Sequence, residues 1–333
     1  MRGRRAFIII TIHVLLLAGF AWMLQRINEE SMAGLGSFGG QATYASASVG
    51  RGIFVGLLLL QTLMVAVLAP AATAGAISSE REHQTLDLLT VTPISSFAIV
   101  VGKLMSALAW IFVLVLASIP VTALVFVFGG VAPDDVVRGY AVLFATVIGL
   151  GSIGIFFSAL TRRTGASTGL TFVATLVFTV GSLFLFVYMA TTAEVSSNGM
   201  RRPPPQAILW LNPFVAQADV ACGTEDGASG GSCSFMSSIL GPADDLAIPV
   251  TDPTKPVPAF RGGGVGVMEE ADVATAAVFD TNRDRFWPKT VLSFLILATV
   301  LTTASIQFVS PTRRWRPSLP GPVRRRIRRR SAR

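Results

Sequence analysis

Six apolar runs, each long enough for a helix to cross a bilayer, constrain this sequence more than any other feature. A membrane-spanning helix needs about 20 apolar residues, because the hydrocarbon offers its backbone no water to bond. The runs predict an all-α membrane protein with six transmembrane helices in residues 1–310, followed by a tail at 311–333. They cover Ala6–Leu24, Gly52–Ile77, Phe97–Phe128, Tyr140–Leu160, Ser167–Ala190 and Thr290–Val309.

Composition supports a membrane location and excludes several other classes of protein. Only 14% of the 333 residues are charged, against about 25% in soluble domains. Mean hydropathy is +0.62, and 52% of the residues are hydrophobic. A disordered chain, a collagen-like chain and a small disulfide scaffold are therefore excluded, and a soluble globular enzyme is not favoured.

Two of the apolar runs are longer than a bilayer requires, and each contains one proline. These are Pro70 in the second run and Pro120 in the third. A proline removes a backbone donor, so it either kinks a helix or stands close to the helix end. We expect one of these two outcomes at each position.

The distribution of positive charge predicts the orientation of the chain. An even number of spans places both termini on one side of the membrane. If the N-terminus, Lys103, the loops 78–96 and 161–166 and the tail share that side, it holds 17 Lys or Arg and 3 acids, and the other side holds 10 and 16. Basic residues concentrate on the cytoplasmic side, so we predict a multi-pass plasma-membrane protein with both termini cytoplasmic. The first run is longer than a cleavable signal core and is expected to remain as a signal anchor.

The C-terminal tail, residues 311–333, contains ten arginines. One interpretation is a topology anchor that stops transfer across the membrane. The other is a surface that binds anionic lipid headgroups. Aromatic residues do not interleave with the basic run beyond Trp315, so nucleic acid is not predicted as a partner.

A large extracytoplasmic loop, residues 191–289, separates the fifth and sixth spans. Within it, Ile208–Val215 is apolar but too short to cross a bilayer, which indicates a re-entrant or interfacial element. The only two cysteines, Cys222 and Cys233, also lie in this loop. Outside the cytoplasm they can form a disulfide, and two free thiols are the alternative. A metal site is not favoured, because no nearby histidine completes a tetrahedral ligand set.

Candidate catalytic residues are few. His13 lies in the first apolar run without an acid at helical spacing, and His83 lies in a charged loop. Ser152 stands in a Gly-Ser-Ile-Gly sequence, which matches a nucleophile elbow only in part. Small residues in a membrane helix more often permit close helix packing. The sequence also has no Gly-x4-Gly-Lys-Ser/Thr nucleotide loop, so we expect no catalytic residue, metal or cofactor in the chain itself.

Ionisable residues inside the apolar runs are scarce. Lys103 is the exception, and its long side chain can reach the inner membrane surface. An ion-coupled carrier would need buried titratable groups, so the energy for any transport enters from elsewhere. Gln61, Thr122, Thr171 and Thr175 either line a path or bond between helices, and the sequence leaves both possibilities open.

The loop between the second and third runs carries the most informative pattern. Ser79 and Glu82 have the spacing of a capping box, which predicts a helix that begins at Ser79. Leu86 and Leu89 would then share one face of that helix. The Thr–Pro pair that ends at Pro93 predicts the start of the next helix. Such a short helix, joined to two spans, can transmit a push from a cytoplasmic partner; an ordinary capped loop is the alternative.

This inner segment, residues 77–103, resembles the signature of the ABC-2 type permease family, the membrane subunits of ABC transporters. The phrase Leu211-Asn212-Pro213-Phe214 in the outer loop also resembles one that these permeases carry before their last helix. Six spans, inner termini and a large loop after the fifth span agree with the family over nearly the whole chain. The inner residues that carry the resemblance are Glu80, Arg81, Glu82, Thr85, Leu86, Leu88, Leu89, Thr92, Pro93, Ile94, Ser95, Gly102 and Lys103.

The resemblance implies a non-catalytic permease subunit of an ABC transporter, and specifically an exporter. Such a chain forms a homodimer or heterodimer with a second permease chain. A separate ATP-binding subunit docks on the short helix between the second and third spans and drives alternating access, so ATP is bound by the partner. The positions implied are Glu80, Arg81, Glu82, Thr85, Leu86 and Leu89 for docking, and Thr92, Pro93 and Lys103 for a hinge into the third span.

Two other functions remain open on the sequence. The chain is either a membrane-anchored assembly or scaffold subunit that uses its arginine tail, or a polytopic membrane enzyme with its site in the outer loop. Acids available to such an enzyme are Asp244, Asp245, Glu269 and Glu270. The sequence does not indicate the cargo.

Overall fold

The computed structural model describes residues 3–33, 42–84, 95–192, 205–222 and 286–309, and the described part is built from helices without a strand. The predicted all-α class is therefore confirmed for these residues. The α-helices are α1 Gly3–Ala33, α2 Ala42–Ala74, α3 Ser78–Glu82, α4 Ser96–Ala117, α5 Ile119–Ala123, α6 Pro133–Leu160, α7 Thr164–Leu176, α8 Ser182–Thr192, α9 Pro213–Cys222 and α10 Trp287–Val309.

Six helical stretches are long and apolar enough to cross a membrane, as the apolar runs predicted. Large apolar side chains such as Phe7, Val173, Phe184 and Leu292 remain exposed on their outer faces. These faces suit hydrocarbon, where the backbone of each span is satisfied by its own helix. The spans are Ala6–Ile27, Val49–Glu82, Ser96–Val127, Pro133–Leu160, Thr164–Thr192 and Trp287–Val309.

The fourth span, α6, is the central helix of the bundle and packs most extensively against the second and sixth spans. Its buried face carries glycines that let the neighbouring helices approach closely, as the sequence predicted for the Gly-Ser-Ile-Gly stretch. The Ser152 hydroxyl within that stretch donates to the carbonyl of Gly149 at 2.6 Å. A Cβ built on Gly149, Gly151 or Gly154 would come within 3.0 Å of Phe294, Leu108 or Thr73, respectively.

The two prolines have different effects. Helix α2 continues through Pro70 and ends one turn later, at Ala74. The third span is interrupted at Ser118, just before Pro120, and continues as α5 and a 3₁₀ turn, Leu124–Val127. The Pro120 region therefore breaks the helix, whereas Pro70 stands close to a helix end.

A buried polar cluster holds this interruption against the neighbouring spans. The Tyr140 hydroxyl lies 2.8 Å from the Ser118 hydroxyl and 2.9 Å from that of Thr122. The Gln61 amide donates to the Thr122 hydroxyl at 3.3 Å. Gln61 and Thr122 thus bond between helices, one of the two roles the sequence left open. Thr171 and Thr175 instead donate to carbonyls of their own helix four residues earlier.

The fifth span changes its helical form half-way along. Helix α7 passes into a π turn at Val177–Gly181 and then into α8. In the π turn the Ser182 amide bonds to the Val177 carbonyl, five residues back. The Ser182 hydroxyl donates to the Phe178 carbonyl at 2.6 Å, so a side chain provides a donor for a carbonyl within the widened turn.

A short segment after the fifth span packs into the bundle. It comprises a 3₁₀ helix, Gln206–Leu211, and α9; we call residues 205–222 the inserted segment. Its residues 215–221 are buried, in contact with α2, α6 and α10. The sequence predicted a re-entrant or interfacial element at Ile208–Val215, and the structure places a packed, non-spanning element there.

The glycine contacts of α6 predict a sharp difference between two glycine-to-alanine variants. Gly149→Ala forces a Cβ against the Phe294 ring, and overpacking of this kind costs about 1–3 kcal/mol. Gly169→Ala, in the fifth span, places its Cβ in open space and improves helix propensity. Thermal unfolding of the purified chain in detergent should show a lower Tm for Gly149→Ala and an unchanged or higher Tm for Gly169→Ala. Equal Tm values would contradict the packing described here.

A candidate coupling site at the 75–84 turn

Residues 75–84 join helix α2 to the loop before the third span and include the last residues of the second span; we call them the connecting turn. Helix α2 ends at Ala74, and α3 begins at Ser78 and ends at Glu82. Gln84 follows with a positive φ of 58°, a left-handed conformation that a continuing α-helix does not contain. The connecting turn is therefore a compact single helical turn with a sharp exit.

Ser158, near the end of the fourth span, anchors the start of the turn. Its hydroxyl oxygen accepts hydrogen bonds from the Ile77 and Ser78 amides, both at 2.9 Å. The Ser158 hydroxyl in turn donates to the Ser78 hydroxyl at 3.3 Å. All three residues are fully buried. One side chain thus satisfies two backbone donors that lie just beyond the end of α2.

Lys103, in the first turns of the third span, holds the turn from a second side. Its ammonium forms an ion pair with the Glu80 carboxylate and donates to the Ala76 carbonyl at 2.8 Å. The Lys103 and Glu80 side chains are 24% and 30% exposed, respectively. A partly desolvated pair with an additional backbone bond is more constrained than a surface pair.

The fifth span contacts the turn through its first helical residues. The Glu82 carboxylate accepts from the Thr164 hydroxyl at 2.8 Å and from the Thr164 amide at 3.3 Å. Because Thr164 is the first residue of α7, the carboxylate meets the positive end of that helix dipole. Ser167, one turn further, donates from its hydroxyl to the Ala74 carbonyl at 2.6 Å.

The sixth span completes the set of contacts. The Arg81 guanidinium donates to the Phe308 carbonyl at 3.5 Å, near the end of α10. Carbonyls in the last turn of a helix have no intrahelical donor, so a cationic side chain is a favourable partner there. The connecting turn is therefore bonded to the third, fourth, fifth and sixth spans. A displacement of the turn must shift these helices or break the bonds to them.

Four predicted site residues fall within the described part of the chain, and the structure brings them together. Glu80, Arg81 and Glu82 lie on α3, and Lys103 reaches them from the third span. The other five, Thr85, Leu86, Leu89, Thr92 and Pro93, lie outside the described residues. Cys233, the arginine tail and the four outer-loop acids also lie outside them; of Cys222 only the backbone is described.

Two local predictions were wrong. Ser79 and Glu82 do not form a capping box, because α3 starts at Ser78 without a side-chain cap and Glu82 bonds to Thr164 instead. Glu82 is the last residue of α3, and the predicted shared face of Leu86 and Leu89 lies outside the described residues. The Thr–Pro pair does not start the third span either, since Ser95 caps α4 by accepting from the Ala98 amide at 3.2 Å.

Sequence reasoning missed three residues of this site: Ser158, Thr164 and Ser167. Each is a small hydroxyl residue in or beside an apolar run, and such residues usually bond within their own helix. The two arginines that precede Thr164 interrupt the apolar sequence and mark the boundary between the fourth and fifth runs, and this was the one available signal. Within the described part of the chain, no group of three His, Cys, Asp or Glu side chains is close enough to hold a metal ion.

A comparison with protein families decides what kind of chain carries this arrangement. The model of the ABC-2 family transporter protein matches residues 2–227, which include five of the six spans and the connecting turn. The chain belongs to this family. It is therefore a permease component of an ABC transporter and a multi-pass membrane protein. No curated protein matched the sequence.

The Ser158 contacts predict that this buried serine contributes more to stability than another buried serine. Ser158→Ala leaves the Ile77 and Ser78 amides without their acceptor, at about 1–3 kcal/mol for each orphaned donor. Ser305 is the matched control, because its hydroxyl donates only within its own helix, to the Leu301 carbonyl at 2.7 Å. Denaturant unfolding in detergent should show a loss for Ser158→Ala several times that for Ser305→Ala. Similar losses would mean that Ser158 does not anchor the turn.

Proposed function

We propose that the chain is the membrane subunit of an ABC exporter, in which a separate ATP-binding subunit docks on the connecting turn and drives alternating access. The observation that carries this proposal is the bonding of one short turn to four spans. A partner that binds residues 75–84 and displaces them moves all four helices, whereas a partner bound to an ordinary surface loop would move only that loop. The membership of the chain in the ABC-2 family supplies the class of partner.

The orientation follows from charge. The side that holds the connecting turn carries 17 of the 27 Lys and Arg residues and 3 of the 19 acids. Basic residues are retained on the cytoplasmic side during insertion, so the turn faces the cytoplasm, where ATP is available. Both termini share that side, the loop 191–289 is extracytoplasmic, and the arginine tail lies at the anionic inner surface.

The ion pair and the carboxylate contact explain how a push is transmitted. Lys103 passes displacement of α3 to the third span through Glu80, and Thr164 passes it to the fifth span through Glu82. Both contacts are charge-assisted. The third and fifth spans therefore move with the turn as long as these contacts are kept. The ATP-bound and ATP-free states of the partner then bias two arrangements of the spans. Two such chains, related as a dimer, enclose the transport path between them.

Site-directed labelling tests the orientation. Gln84 in the connecting turn and Gln206 at the start of the inserted segment are both exposed. In a background with Cys222→Ser and Cys233→Ser, we expect a cysteine at position 206 to react with a membrane-impermeant thiol reagent in intact cells. A cysteine at position 84 should react only after permeabilisation. The reverse pattern would overturn the assignment.

Co-purification tests the docking site. We expect the wild-type chain to co-purify with the ATP-binding subunit encoded in its genomic neighbourhood, and His83→Asp to lose most of it, because His83 is exposed on the connecting turn and a new charge inside a docked interface costs several-fold in affinity. Val137→Asp is the control, since Val137 is 67% exposed at the opposite end of the bundle. Size-exclusion profiles confirm that both variants fold. Retention of the ATPase by His83→Asp would show that it docks elsewhere.

A further inference from the structure

Asn212, at the opposite end of the bundle, makes four side-chain hydrogen bonds. It is 1% exposed and stands between the 3₁₀ helix and α9 of the inserted segment. Its side-chain oxygen accepts from the Phe214 amide at 3.0 Å and from the Val215 amide at 3.3 Å. Asn212 is thus the N-cap of α9 and fixes the direction in which this helix leaves the preceding turn.

The other half of the same amide reaches the fifth span. The Asn212 nitrogen donates to the Thr179 carbonyl at 2.7 Å and to the Ser182 hydroxyl at 3.1 Å. Thr179 lies in the π turn, and Ser182 is the first residue after it. The inserted segment is therefore bonded to the fifth span at the π turn. Within the described residues of that span, this is where the backbone hydrogen bonding departs from that of an α-helix. Such π turns are often functional, because a widened turn deforms more easily than an α-helix.

The fifth span connects this contact with the connecting turn. Its start is held by Glu82 through Thr164, and the thirteen-residue helix α7 lies between Thr164 and the π turn. Helix α7 is a continuous α-helix over its thirteen residues, and its backbone hydrogen bonds run along its axis, so it can transmit a displacement from one end to the other. Displacement of the connecting turn therefore reaches the π turn, where Asn212 is bonded to one residue inside the turn and to the residue that follows it.

The inserted segment is also bonded to other spans. The Gln217 amide donates to the Gly139 carbonyl at 3.0 Å, near the start of the fourth span. The Asp219 carboxylate accepts from the Trp287 amide at 3.1 Å, at the first residue of the sixth span. The segment thus bridges the far ends of three spans. A shift at its Asn212 end tilts it against the fourth and sixth spans.

We propose that Asn212 is a positioning residue that couples the fifth span to the inserted segment, so that this segment changes conformation with the nucleotide state of the ATP-binding partner. The inference rests on the proposed function. It assigns to the inserted segment the role of a moving element at the far end of the transport path. It also separates two tasks of one side chain: the oxygen caps α9, and the nitrogen transmits the movement.

Three substitutions separate these tasks. Asn212→Ser keeps an oxygen that caps α9 but has no donor long enough to reach the Thr179 carbonyl. Asn212→Ala removes both the cap and the link. Ser182→Ala removes one of the two acceptors of the Asn212 nitrogen and leaves the cap untouched. If Asn212 had a merely structural role, only the loss of the cap, in Asn212→Ala, would change the behaviour of the inserted segment. If Asn212 couples the two elements, the loss of the side-chain nitrogen, in Asn212→Ser, is enough to change it.

Hydrogen exchange on the full chain with its ATP-binding partner, in lipid nanodiscs, tests the proposal. In the wild-type complex we expect amide exchange in 164–176 and in 206–222 to change by about threefold or more between the nucleotide-free and vanadate-trapped states. In Asn212→Ser the change in 206–222 should be lost, while the change in 164–176 and an ATPase rate within twofold of wild type remain. Basal exchange of 213–216 should rise by about threefold to tenfold, the equivalent of one hydrogen bond, only in Asn212→Ala.

Each result decides between the two proposals. If the ATPase does not bind, or if 164–176 fails to respond to nucleotide in the wild-type complex, the proposed function is wrong. If 164–176 responds but 206–222 does not, or if Asn212→Ser retains the full response in 206–222, the coupling role of Asn212 is wrong. If Asn212→Ser does not fold, Ser182→Ala decides: a reduced response in 206–222 supports the role, and an unchanged one overturns it.

Discussion

The absence of water in the hydrocarbon layer is the constraint on which this structure depends, because every interruption of a membrane helix exposes backbone groups that need protein partners. The described spans are interrupted after Ala74, at Ser118 and at the π turn 177–181. A side chain from another element is bonded at each of these places. They are Ser158, Tyr140 and Asn212. The interruptions are therefore also the points where the helices are tied to one another, and the candidate machinery lies at two of them.

Features that depend on length and composition alone could be predicted from the sequence. The six spans follow from the length of the apolar runs, and the close packing around Ser152 follows from its glycine neighbours. The packed element after the fifth span follows from an apolar stretch too short to cross a bilayer. In each case the deciding quantity is local, so a single sequence contains it.

Features that depend on distant partners could not be predicted. Glu82 has the spacing of a capping residue for Ser79, yet it bonds to Thr164, 82 residues away, where a helix N-terminus offers both an amide and a hydroxyl. Lys103 was expected to extend to the membrane surface. In the structure its ammonium pairs with the Glu80 carboxylate and donates to the Ala76 carbonyl. Ser158 gave no signal, because a serine that accepts from a neighbouring chain segment has the same local sequence as one that bonds to its own helix.

The glycine face of the fourth span has a consequence for how such a protein can diversify. Phe294, Leu108 and Thr73 fill the space beside these glycines, so a solute has no room at these helix contacts. In the proposed dimer the transport path lies between two chains, so selectivity would reside on the faces that meet there and not on the glycine face. An engineer who wishes to alter what the protein carries should randomise the faces that line this path and leave the glycine-lined axis intact.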